Sequence, residues 1–121
     1  MKLFMVLTGC TPKGRNVEQH DVFFGIGENL RDLIPAIIQS WPGSGKIHID
    51  AWREVNFVDN FKVEIIPRQA YKEGETDLNK LFFINLGGYR QNEFDEFHYK
   101  MLAAGENKAA AIQQSKATAF Y

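Results

Sequence analysis

Several things are scarce in this chain, and each scarcity excludes something. There is one cysteine, Cys10, so no disulfide closes within the chain and nothing points to an oxidising compartment. No apolar run approaches the ~20 residues needed to span a bilayer as a helix, so no membrane partner is expected. Neither sign of charge dominates: 14 basic residues face 15 acidic ones, for a net charge of −1. A nucleic-acid partner, which calls for a clustered basic face, is therefore not expected. A cytoplasmic location is the expectation these absences leave. Leu7-Thr8-Gly9-Cys10 has the look of a lipoprotein cleavage box. The apolar stretch before it, Leu3–Leu7, is shorter than the roughly 7–15 residues of a signal core.

What is present is a repeat. Comparing each residue with the one 78 positions later pairs Lys2-Leu3-Phe4 with Lys80-Leu81-Phe82, and Gly9 with Gly87. Glu18 and His20 pair with Glu96 and His98, Gly27-Glu28-Asn29 with Gly105-Glu106-Asn107, and Ile34 with Ile112. Ten identities fall between Lys2–Gly43 and Lys80–Tyr121 without a gap, where ordinary composition gives roughly two or three. The expectation is a duplicated module: residues 1–67 as the first copy, 68–79 as a linker, and 80–121 as a second copy lacking its last two strands. The apolar ending Ala119-Phe120-Tyr121 leaves two readings, a natural chain that continues or an open sheet edge that is covered, and the second makes a homodimer or another protein partner the expectation.

Leu3–Leu7 and Leu81–Leu86 read as strands buried on both faces, each followed by a returning strand. Leu30, Leu33, Ile34, Ile37, Ile38 and Trp41 form a helical stripe with Asn29 as N-cap. Pro35 conflicts with an uninterrupted helix, so the helix either kinks there or begins near Asp32. Pro42-Gly43-Ser44-Gly45 ends it, and the second copy's helix runs from about Lys108 to Ala119. From Lys46 to Phe57 the pattern alternates, placing Ile47, Ile49, Ala51, Val55 and Phe57 on one face. A three-residue loop, Val58-Asp59-Asn60, then pairs Phe57 with Phe61. The predicted fold class is α+β: a duplicated β-β-α-β-β module, a mainly antiparallel sheet, and helices on one side.

Met1–Leu7, Glu18–Gly25 and His48–Val55 resemble the bacterial family labelled domain of unknown function 1543. The resemblance is best over Met1–Pro67 and reaches the second copy only through the matched positions. It implies a fold lineage, with the module single or doubled, and no activity.

Each of the three histidines stands two residues from a carboxylate: Glu18-x-His20, Glu96-x-His98 and His48-x-Asp50. On a strand such residues share a face. Converging, they would suit Zn or Fe, or orient an imidazole for general-base work. Scattered, they would serve the fold by satisfying backbone groups where a loop re-enters a strand. The candidate metal or ligand residues are thus Glu18, His20, His48, Asp50, Glu96 and His98, and no other cofactor is expected. Trp52 and Glu54 are candidate interface residues, expected on the strand face of His48 and Asp50. Cys10 reads as a buried structural thiol. Lys13 and Arg15 form a basic loop without a counterpart in the second copy. Two functions stay open: a non-enzymatic binding or interaction module, or a small metal-dependent or acid–base enzyme. Convergence of the histidine–carboxylate pairs separates them.

Overall fold

The computed structural model describes residues 1–41, 43, 45–72 and 79–118. The expected breaker residues Pro42 and Ser44, part of the linker, and Ala119-Phe120-Tyr121 lie outside the described residues. The architecture is mixed α and β, mostly strand, with every ladder described antiparallel. Two compact units form: Met1–Asn56 with Lys62–Ile66, and Phe57–Phe61 with the chain from Pro67 onward.

In the first unit, β1 (Lys2–Cys10) lies between β2 (Gln19–Gly27) and β3 (His48–Glu54). The even-numbered residues of β1 face a short helical layer. Phe4, Val6, Leu33 and Ile37 are buried together there, with Phe23, Leu30, Ile47 and Ile49 packed around them. The helical layer answers the Pro35 conflict. A 3-10 turn spans Leu30–Leu33, and α1 (Ile34–Gln39) starts after it, which puts Pro35 in the first α-helical turn, where the missing N–H costs no hydrogen bond. Asp32 Oδ2 accepts from the backbone N–H groups of Glu28 and Asn29, both at 3.1 Å. Gly25 lets this layer sit close: a Cβ there would lie 1.8 Å from Leu33 Cδ2. Trp41 Nε1 donates to the buried Thr8 hydroxyl at 3.0 Å, which donates in turn to the Asp21 carbonyl at 3.2 Å. Cys10 is free and buried, as expected.

β3 departs from simple alternation. Thr8 opposes Ile49 but Leu7 opposes Ala51, so Asp50 is the extra residue of a β-bulge. A bulge reverses the faces beyond it. Ile47 and Ile49 stay with the core, while Ala51 falls on the other side. Trp52 opposes Val6 and its ring lies 6.0 Å from that of Phe4. The expectation that Trp52 and Glu54 share the face of His48 and Asp50 is therefore corrected. Both lie on the Phe4–Val6 face, where Glu54 pairs with Lys2 at 3.2 Å.

The next hairpin, β4 (Phe57–Val58) and β5 (Phe61–Lys62), is a separate two-stranded sheet. Its turn is the two-residue Asp59-Asn60, with φ of 49° and 68°, the pair of positive values that a type I′ turn requires. The three-residue loop is thus corrected. Asp and Asn tolerate this backbone, and Asp59 Oδ2 is fixed by the Ala104 N–H at 2.8 Å. Nor do the described strands make one sheet: they form three sheets, of three, two and two strands.

The second unit is built on β6 (Lys80–Tyr89) and β7 (Glu96–Gly105), then α2 (Lys108–Ser115). Asn107 caps α2 by accepting from Ala110 N at 2.9 Å. Ala111 and Ser115 are buried, as are Leu102, Ala103 and Ala104 of β7. Gln114 Nε2 donates to the Ala104 carbonyl at 2.8 Å. The helix closes at Ser115, short of the expected Ala119, with Lys116 as C-cap.

Candidate metal centre

The centre is assembled by strand pairing. Gly9, on the central strand, opposes His20 on β2 and His48 on β3. Directly opposed residues share a face, so both imidazoles flank a position with no side chain. Glu18 enters from the residue before β2, and the bulge delivers Asp50 from β3. His20 Nε2 lies 3.2 Å from Asp50 Oδ2 and 3.6 Å from Glu18 Oε1. His48 Nε2 lies 3.2 Å from Asp50 Oδ1 and also contacts Glu18 Oε1. One donor atom each from Glu18, His48 and Asp50 falls within 4.8 Å of the others.

Gly9 is what gives these atoms room. A Cβ on it would come within 2.6 Å of Glu18 Oε1 and of His48 Nε2, and within 2.8 Å of Asp50 Oδ2. Gly9 has no positive φ, so space and not backbone conformation calls for glycine. The donor chemistry points the same way. Each imidazole nitrogen faces two carboxylates, and one N–H cannot serve two acceptors well at once. The donors close enough to share one cation are those of Glu18, His48 and Asp50, with His20 beside them, and nitrogen with carboxylate oxygen is the donor set Zn and Fe take. The four side chains are 33–48% exposed, which leaves positions open to solvent.

Glu96 and His98 belong to the second unit. Gly87 opposes His98 there and Tyr89 opposes Glu96. Glu96 Oε1 lies 2.9 Å from His98 Nε2, and the Tyr89 hydroxyl donates to Glu96 Oε2 at 2.5 Å. That hydrogen bond, and next the negative charge of Glu96, raise the Tyr89 phenol above its ordinary value. Of the six sequence candidates, four thus meet over Gly9 and two form a pair of their own.

Gly9 and Tyr89 were not singled out from the sequence. The signal for Gly9 in the sequence is its repetition as Gly87. The signal for Tyr89 was the two-residue spacing from Gly87 on the same strand. The basic loop takes no part in the cluster: Arg15 lines an open cavity of about 320 Å³ with Gly14, Asn16, Val17 and Gln19.

Residues 15–65 match the family described as Domain of Unknown Function (DUF1543). The DUF1543 match bears out the resemblance and takes in Glu18, His20, His48 and Asp50, ending before Glu96 and His98. The chain is also similar to a solved structure titled "Crystal structure of a protein Il1583 from Idiomarina loihiensis". The two are 27% identical with a TM-score of 0.73, over 96% of this chain and 70% of that one. No curated protein matches. Among the described residues, no helix is long and apolar enough to cross a membrane.

Proposed function

We propose that the first unit is a metal-binding module that holds one divalent transition-metal ion, Zn or Fe, between Glu18, His20, His48 and Asp50. The observation that carries this is the meeting of two imidazoles and two carboxylates over Gly9. Two neutral histidines and two carboxylates balance the charge of such an ion. Once bound, the ion supplies Lewis-acid polarisation to whatever oxygen takes an open position. The protein's share is to fix the ligands on and beside the two strands that flank β1, and to leave the outer side open for a small substrate. This favours the metal-dependent enzyme reading over a purely structural use of the histidines.

The two units are best understood as copies of one hairpin–helix module. Lys2 opposes Gly27 and Lys80 opposes Gly105, the same register moved by 78 residues, and Asn29 and Asn107 precede both helical segments. The first copy alone has a third strand in its ladder among the described residues, and with it His48 and Asp50.

The test is calorimetric titration of chelator-treated, untagged protein with Zn, together with the His48→Ala and Asp50→Asn variants. We expect one Zn per chain and a loss of at least tenfold in affinity in each variant. Zn binding unchanged in both variants, or absent from the parent protein, refutes the proposal.

A further inference from the structure

The second unit carries a different donor set in the corresponding place, and it includes a phenol. Gly87 and Tyr89 are two apart on β6, and Glu96 and His98 are two apart on β7. Since Gly87 opposes His98 and Tyr89 opposes Glu96, all four stand on one face of the hairpin as adjacent cross-strand pairs. Glu96 is the hub. Its Oε2 accepts from the Tyr89 hydroxyl at 2.5 Å and its Oε1 lies 2.9 Å from His98 Nε2. Gly87 leaves the space above it clear, since a Cβ there would approach Glu96 Oε1 to 3.0 Å. Arg90, next to Tyr89 in the chain, stacks on Phe97 at 4.9 Å. Phe97 opposes Gly88 and so stands on the other face of the hairpin; Lys100, which opposes Asn85, stands on the face of Glu96, but among the described residues the ion pair of Glu96 is with His98.

We infer that Tyr89, Glu96 and His98 form a second metal site, one that takes a hard trivalent ion, ferric iron, where the first takes a divalent one. Two of its three donors are anionic oxygens once the phenol is ionised, and that is the set a hard, highly charged cation prefers. The phenol proton leaves to solvent as the iron–oxygen bond forms, with no change in oxidation state. The carboxylate keeps one oxygen toward each neighbour, and the imidazole adds a nitrogen. The position matching Tyr89 in the first unit is Thr11, so the phenolate belongs to the second unit alone. This inference does not rest on the divalent site of the first unit.

A phenolate bound to ferric iron absorbs visible light by charge transfer, a signature that neither carboxylate nor imidazole ligation produces. The experiment titrates metal-free full chain with ferric nitrilotriacetate and follows the visible spectrum. The comparisons are Tyr89→Phe and the double variant Glu18→Gln, His48→Gln. We expect a band that saturates at one iron per chain, disappears in Tyr89→Phe and survives in the double variant. A band that persists in Tyr89→Phe, no band at all, or absorbance that rises without saturating overturns the assignment. Tyr89 is well exposed, so Tyr89→Phe leaves the fold in place, and its circular dichroism checks this. Loss of Zn binding in the double variant beside an intact iron band separates the fate of this proposal from that of the first.

Discussion

Gly9→Ala isolates the cradle from the fold. The new Cβ would lie 2.6 Å from Glu18 Oε1 and His48 Nε2 and 2.8 Å from Asp50 Oδ2, all ends of half-exposed side chains. Those ends swing outward at little cost, and no buried backbone is struck. Glycine inside a strand costs roughly 0.5–1 kcal/mol against alanine, so the metal-free variant is expected to be as stable as the parent or slightly more so. Metal binding responds in the opposite direction. Disturbing a partner outside the coordination shell already costs about 10–100-fold in affinity, and here the ligands themselves are pushed apart. A drop of at least about 100-fold follows, or roughly 2.7 kcal/mol. The assay is Zn calorimetry beside urea unfolding in excess chelator. An unchanged Zn affinity, with the variant folded, would refute the cradle.

Ile37→Ala removes a side chain buried against Phe4 and Val6, and is expected to cost about 2–5 kcal/mol in urea unfolding. Asn107→Ala removes the acceptor for Ala110 N, so a loss of about 1 kcal/mol should appear in thermal unfolding of the second unit. In metal-free protein, Glu96→Gln removes both the hydrogen-bonded carboxylate and its charge. The Tyr89 phenol, held above its ordinary value in the parent by the Glu96 hydrogen bond and charge, should then ionise at lower pH. The difference between spectra with and without Tyr89→Phe isolates that titration, and no downward movement would contradict the contact.

Local pattern made much of the first unit legible. The apolar run ending at Gly9 marked the central strand, and the stripe from Leu30 with Asn29 before it marked the helical layer. Pro35 announced a break, and the structure accommodates it with a 3-10 turn before α1. The candidate histidines were legible as strand pairs, but their convergence was not, because it depends on which strands flank β1. The bulge was hidden for a related reason. Alternation predicts faces only while register holds, and the extra residue at Asp50 moved Trp52 to the core side. The hairpin turn was misjudged by extending that same alternation through Phe57. The Asp59 side chain is held by a contact with the Ala104 N–H, 45 positions away in the chain, which local alternation does not show.

The hydrogen bond from Trp41 to Thr8 has an optical consequence. Both tryptophans, Trp41 and Trp52, lie in the first unit, while Tyr71, Tyr89 and Tyr99 lie in the second. Thr8 immediately precedes Gly9, so the Trp41 indole is anchored one residue from the cradle. Indole emission excited at the red edge therefore reports melting of the first unit alone. Phenol absorbance follows the second. The chain carries two built-in dyes, one for each half, and needs no label to show whether the halves unfold together or in turn.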